Sequence, residues 1–331
     1  MHRLKRLAKL VAAGIFPVFD IILAPVTFLC CAWLGIIRKV MHKLGPSRVR
    51  LSRKIFRSVG VFPIVDHYYE PLFNPKHLRY SLQKERALPG VDFNLKEQLD
   101  ILKRFNFNEE LMSIPVDEKN PLEFYYHNGS LGSGDSEYLY NVIRLFKPLR
   151  IIEAGSGYST LMSIKAAAKN REENGKYACR ITCFEPYEKP WLEKVGVDVV
   201  RARIEEAPKD IFAQLGPNDI FFVDSSHIIR PQGDVLFEFL EILPALKSGV
   251  LVHIHDIFTP RDYPEGKLVD EVLFTNEQYL LEAFLSLNKD FKIIGSLNYL
   301  THNYFAQLSS CCPMLQREPD REPGSFWIAR R

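Results

Sequence analysis

Residues 150–160 read Arg-Ile-Ile-Glu-Ala-Gly-Ser-Gly-Tyr-Ser-Thr, and their spacing points to ligand chemistry. Leu149, Ile151 and Ile152 mark the end of an apolar strand. Glu153 follows, then a turn with Gly155 and Gly157, then a helix opened by Ser159 or Thr160. Glycines at such a turn let a ligand approach the backbone closely. An acid just before them favours a positively charged or hydroxyl-bearing ligand. The combination suggests an α/β protein that binds an adenosine-type cofactor. A dinucleotide fingerprint needs a third glycine where Thr160 stands. A P-loop is excluded because no G-x-x-x-x-G-K-[ST] run occurs here. Taken alone, the turn fits an ordinary βα connection equally well.

The elements around the turn decide between these readings. Residues 180–185 form a short strand ending in Glu185, and 219–224 an apolar strand ending in Asp224. Residues 249–256 form a third, with His253, His255 and Asp256 at its end. Glu185 lies about thirty residues beyond the glycines, one βα unit on. In an open α/β sheet that places it beside the ligand crevice, where a carboxylate can accept both ribose hydroxyls. Four apolar runs, each ending in an acid and separated by helical patterns, predict a parallel sheet with a ligand edge.

These pieces resemble the class I S-adenosylmethionine (SAM) methyltransferases, in particular the family-24 subgroup, over residues from about 124 to 330. The resemblance rests on Ile152 to Thr160, Phe184-Glu185-Pro186, Phe222-Val223-Asp224-Ser225-Ser226-His227, and Val252-His253-Ile254-His255-Asp256-Ile257-Phe258 followed by Pro260 and Asp262-Tyr263-Pro264. Gly324 to Ala329 looks like that fold's final antiparallel strand. The resemblance implies a Rossmann-like, mostly parallel sheet and SAM as methyl donor; it does not name the acceptor. Glu153 and the backbone of Gly155, Ser156 and Gly157, with Ser159 and Thr160, are expected to hold the methionine portion. Glu185 is expected to hold the ribose, and Asp224 and Ser226 to border cofactor and acceptor.

Methyl transfer is a displacement at a carbon bonded to sulfonium, so alignment is much of the task. An oxygen acceptor also needs a general base or a metal. His255 is the preferred base, His227 the second, and Asp256 completes the catalytic set. His253 lies deeper and reads as structural. Catechol-type enzymes place metal-binding acids where Asp224 and Asp256 stand, then follow the second with Asn. Here Ile257 follows, so no metal ligand is assigned and a divalent cation is the less favoured alternative.

The amino-terminal end differs in composition. The chain has 331 residues, 47% hydrophobic, and a net charge of +3. Residues 1–60 hold twelve Lys/Arg and one acid, Asp20; the remainder is net negative. Residues 10–37 are almost wholly apolar, flanked by Arg3, Lys5, Arg6 and Lys9 and by Arg38, Lys39 and Lys43. That length can span a bilayer. Pro17, Pro25 and Asp20 favour a re-entrant hairpin over a single span. Residues 46–57 alternate basic and apolar residues, as an interfacial helix on anionic lipid would. The expected partners are SAM, an acceptor, and membrane lipid through residues 1–58, with no nucleic acid. The six cysteines include two adjacent pairs, poor disulfide partners. Reduced thiols fit a membrane-associated protein with a cytoplasmic catalytic domain.

The expected organisation is an arm over 1–58, a connector and helical cap over 59–134, and a SAM-binding domain over 135–331. Helices are expected from Asn94, and from about Asp135 to before Pro148. The glycine-rich loop 129–134 reads as a lid or a plain surface loop. The function expected is O-methylation of a membrane-proximal acceptor such as a saccharide or lipid-linked glycan. A non-catalytic membrane scaffold on the same fold, a catechol-type metal-dependent enzyme and a nicotinamide oxidoreductase are the alternatives.

Overall fold

The computed structural model describes residues 2–187 and 189–331, with side chains from residue 16 onward. The basic flank Arg3, Lys5, Arg6 and Lys9 thus lies outside the described side chains. The chain forms two compact units, Met1–His77 and Leu78–Arg331. The expected arm ended at residue 58, so the observed division lies further along. Residues 60–77 go with the arm, and 78–93 with the larger unit.

In the first unit, α1 runs unbroken from His2 to Leu44 and contains Pro17 and Pro25. The expected hairpin is therefore not formed. Each proline removes one N–H and crowds one preceding carbonyl, which bends a helix without ending it when neighbouring residues favour the helix. A short turn at Pro46–Val49 leads into α2, Arg50–Val59, closed by Gly60 in the left-handed conformation. Ile37 and Met41 of α1 bury Phe56 of α2. Residues 16–33 of α1 stay exposed; within Phe16–Leu44 an 18-residue stretch reaches a mean hydropathy of 2.1, and this is the one described helix long and apolar enough to cross a membrane.

The second unit is built on a seven-stranded sheet. Its strands are β1 Arg150–Ala154, β2 Arg180–Phe184, β3 Asp198–Val200, β4 Ile220–Val223, β5 Leu251–Ile254, β6 Phe291–Ser296 and β7 Phe326–Arg330. They lie in the order β3-β2-β1-β4-β5-β7-β6. The first five pair in parallel, and β7 inserts antiparallel between β5 and β6. This is the expected mixed sheet with an antiparallel carboxyl-terminal strand. Strand order reverses between β1 and β4, and ligands of such sheets bind in the crevice outside the strand ends at that point. The three-residue β3 and the β6 strand carry too little alternation to read from sequence.

Strand alternation divides the core. Ile151, Phe222 and Trp327 face one layer; Ile152, Phe221 and Ile328 face the other. The first layer holds α3 Leu95–Leu102, α5 Asp135–Phe146 and α6 Tyr158–Glu173, with the short α4 Asn108–Met112 before α5. The apolar spacing of Leu139, Val142, Ile143 and Phe146 predicts one inward face; the first three are buried and Phe146 is half-buried, but Tyr138, Tyr140, Asn141 and Arg144 are buried as well. Helix α5 is covered on nearly every side, which its amphipathic pattern does not announce. Each large apolar side chain buried this way contributes about 1.5–3 kcal/mol. In the loop before α5, Gly129 and Ser130 are exposed at the surface and Leu131 to Gly134 are buried. All six cysteines are free thiols.

Candidate functional site

Two groups of side chains occupy the carboxyl edge of the sheet, one on β1–β2 and one on β4–β5. On the first, Gly155 takes φ +75°, and a Cβ there would lie 2.0 Å from the Asp224 carbonyl oxygen. Only glycine fits, so the turn passes tightly beside β4. The Gly155 N–H donates to the Phe184 carbonyl at 3.0 Å. Glu185, at the end of β2, accepts from the Ser156 N–H at 3.3 Å through one carboxylate oxygen and from the Tyr187 N–H through the other. Lys189 donates to the Ser156 carbonyl at 2.6 Å and covers the face of Gly157. Tyr125 and Tyr158 meet at 3.0 Å between their hydroxyls beside this turn.

Glu153 departs from expectation. It shares the Ile151 face of β1, so its carboxyl points under α6 and is fully buried. There it accepts from the Thr160 hydroxyl and, at 3.5 Å, from Ser163 and Cys183. Thr160 in turn accepts the Gly157 N–H at 3.1 Å. Glu153 therefore shapes the glycine turn from behind and does not face the crevice. Burial pushes its carboxyl up to about 7, against the three donors that favour the charge. Helix α6 starts at Tyr158, and Ser159 is buried on its first turn.

The second group is charged. Asp224 follows β4, and its N–H donates to the Ala154 carbonyl at 2.9 Å. His227 and Asp256 both adopt positive φ, 59° and 57°. Non-glycine residues held there cost of order 1–3 kcal/mol and cluster at functional sites. The His227 ring is gripped at both nitrogens: Nδ1 meets Glu277 at 2.7 Å, and Nε2 lies 3.3 Å from Asp224 and 3.8 Å from Asp256. Burial opposes its charge, but Asp224 and Glu277 outweigh that and raise its pKa well above the ordinary value. Desolvation likewise works against the Asp224 charge, yet His255 and His227 hold that carboxyl well below the usual range. Asp256 accepts from Lys267 at 2.5 Å.

The remaining histidines differ sharply. His253 is buried, stacked on Phe222 with centroids 3.8 Å apart, and its Nε2 meets the Ser325 hydroxyl at 2.9 Å. Desolvation drives its pKa far down, so it is neutral. His255 extends the β5 ladder, its N–H donating to Val223 at 2.9 Å, and its Nδ1 is buried without a partner among the described residues. Ser226 is engaged by Asp234 through both its N–H and its hydroxyl, at 2.8 and 2.7 Å. It braces the loop after β4, so its hydroxyl is not presented to the crevice.

Sequence reading missed Glu277, Lys267 and Lys189. Glu277 opens α7, Glu277–Leu285, fifty positions from its histidine, and no local pattern joins the two. Among the described residues, no three His, Cys, Asp or Glu side chains are grouped to hold a metal ion. The two edge acids carry protein cations instead, His227 and Lys267. Beside the loop after β5, a cavity of about 200 Å³ is lined by Leu82, Phe258, Arg261, Tyr263, Asn298 and Glu322 among others. Arg86 fixes its wall by pairing with Glu282 and donating to the Arg261 carbonyl.

Comparison with known proteins agrees with the expected family. Residues 152–257 match the family-24 model of a methyltransferase domain. An uncharacterized protein of Archaeoglobus fulgidus is 26% identical over 168 residues, 48% of this chain and 74% of its own. Among solved structures, MycE, a methyltransferase of the mycinamycin biosynthetic pathway in complex with Mg, S-adenosylhomocysteine (SAH) and mycinamycin VI, is 17% identical. The match has a TM-score of 0.35 and covers 61% of this chain and half of that one. The plantazolicin methyltransferase BpumL in complex with SAH is 12% identical, with a TM-score of 0.36, over 72% of this chain and 96% of that one.

Proposed function

We propose that this chain, which carries a methyltransferase domain over residues 152–257, transfers the methyl group of SAM to a hydroxyl of a membrane-proximal acceptor. The observation that carries the cofactor reading is the pairing of the tight Gly155 turn with the Glu185 carboxylate across the β1–β2 edge. The turn gives the methionine and sulfonium portion room against the backbone, and Glu185 is placed to accept from ribose hydroxyls. Glu153 acts through Thr160 on the shape of that turn.

His227 is the group we assign to the acceptor proton, in preference to His255. Of the three histidines it alone has an orienting carboxylate, Glu277, behind one nitrogen and an edge-facing second nitrogen. Such a base–orienter pair fixes tautomer and direction. In the unliganded chain His227 is an imidazolium. Arrival of the cationic sulfonium opposes that charge and favours loss of the proton before acceptor attack. When bound, SAM would supply the methyl group: the acceptor oxygen would bond to the methyl carbon as the carbon–sulfur bond breaks, while its hydroxyl proton passes to the neutral His227 ring and neutral SAH leaves. Asp224 and Asp256 hold the position of the ring.

The cavity beside Tyr263 offers carboxylate, amide and aromatic groups, a mixture suited to a hydroxyl-rich acceptor such as a saccharide. The bare apolar helix supports anchoring of the enzyme to a membrane. A second reading, a non-catalytic scaffold, has no observation in its favour beyond the fold itself. Calorimetry of the full chain in detergent with SAM and SAH tests the proposal. We expect micromolar binding that Glu185→Ala weakens at least about a hundredfold, the loss of two or more charge-assisted hydrogen bonds. Folded wild-type protein that binds neither ligand would overturn it.

A further inference from the structure

We propose that residues 46–77 form a collar at the carboxyl-terminal end of α1 that docks on an anionic lipid surface through α2. This rests on the reading of α1 as a membrane anchor and adds to it the chemistry of the headgroups recognised. Helix α2 presents three stripes. Phe56 turns inward onto Ile37 and Met41. Leu51, Ile55 and Val59, spaced four apart, stay 59–76% exposed, a row of one helix face. Arg50, Lys54 and Arg57 lie beside that row, exposed and with no ion pair among the described residues. The first turn of α2 contains no acid. An exposed apolar row bordered by unpaired cations is the pattern of a helix lying in the headgroup plane.

The level of the collar follows from its attachment. Glu70 is almost fully buried between Arg38 and His42, meeting His42 at 2.6 Å. Arg38 also stacks over Phe62 at 4.9 Å, and His42 lies against His67. Both anchoring residues sit where α1 passes from its apolar run to its basic end. With the apolar run in hydrocarbon, the loop they hold is at the interface. Tyr68 and Tyr69 project there, 83% and 75% exposed and 4.2 Å apart, and tyrosines are enriched at that depth. Each basic residue near an anionic surface favours binding by about fivefold, so the three cations together supply about a hundredfold.

The test uses the full chain with Cys30 and Cys31, both exposed, changed to Ser, and Ile55→Cys carrying an environment-sensitive fluorophore. The same protein without Ile55→Cys is the labelling blank. It is reconstituted in vesicles of phosphatidylcholine alone or with 30% phosphatidylglycerol, about one anionic lipid in three. We expect a several-fold rise and blue shift of emission in the anionic vesicles only, abolished by Arg50→Glu/Lys54→Glu/Arg57→Glu. Watery emission in both vesicles would overturn the proposal, as would equal shielding in both or indifference to the triple change. Shielding in detergent that grows with protein concentration would point to a second copy and overturn it too. Flotation separates the two readings: a chain that floats with neither vesicle loses the anchor, whereas one that floats with both and stays watery at residue 55 loses only the collar.

Discussion

The two halves of the sheet's carboxyl end treat carboxylates in opposite ways. On β1–β2, Glu153 is sealed under α6 with only neutral donors, and burial carries it up to about 7. On β4–β5, Asp224 and Asp256 face His227, His255 and Lys267, and both carboxyls lie below their ordinary range despite desolvation. The strands are neighbours and each acid ends an apolar run. The difference lies in position along the strand: Glu153 pairs with Phe222 inside the sheet, whereas Asp224 and Asp256 lie past the ends of β4 and β5. An inward position makes a carboxyl a neutral brace for the backbone, and an edge position makes it one pole of a charged network. A sulfonium cofactor would rest across the boundary, its polar contacts on the braced side and its reacting methyl toward the charged one.

The largest break in this comparison comes from Gly155→Ala. The added carbon overlaps the Asp224 carbonyl and strains a left-handed backbone, so the turn is forced away from β4. We expect a loss of about 3 kcal/mol or more in urea unfolding, together with loss of SAM binding. Retained stability and affinity would mean the two halves are not tied at that point.

Next in size is the separation of the histidines. His227→Gln should lower kcat by about 10²- to 10⁴-fold, the usual contribution of a general base, with SAM affinity changed little. His255→Gln should cost less than about tenfold. The opposite ranking would return the base to His255. The sign of the pH dependence sharpens the point. His227 is raised by Asp224 and Glu277 in the unliganded chain, so its neutral form grows in only well above the ordinary histidine range, and kcat/KM, which reports the free enzyme, should still be climbing there. Glu277→Gln removes one of the raising charges and should move that climb to lower pH.

The smallest expected effect tests the braced half. The folded state holds Glu153 protonated up to about 7, against 4.5 as its ordinary value. Stability from this group is therefore full below about 4.5 and is lost as pH rises through 7, a change of about 3 kcal/mol. Glu153→Gln keeps an acceptor for Thr160 and should flatten that slope in denaturant titrations at pH 4.5 and 8. SAM affinity should stay within about tenfold, because Glu153 acts behind the turn. A slope unchanged by the substitution would show that Glu153 is ionised in the fold.

Much of this was legible in the residues themselves. Gly155 and Gly157 after an apolar run, with Glu185, Asp224 and Asp256 each closing a strand, gave the ligand edge because strand ends and tight turns are local features. The antiparallel last strand was readable from Phe326-Trp-Ile-Ala and its place at the end of the chain. The direction of the Glu153 side chain was not, since it depends on which layer packs on which face of β1. Nor was the continuity of α1 through Pro17 and Pro25, since a proline can bend a helix without ending it. His253 read as structural from its depth in the strand and is buried, but the choice between His227 and His255 was hidden. All three have the right chemistry and spacing, and what separates them is Glu277, Phe222 and Ser325, brought in from distant elements. Residue types determined which chemistry this edge can hold. Tertiary packing decided which of those groups are charged, which are neutral, and which face the ligand, because desolvation and pairing belong to the surroundings of a side chain and not to its identity.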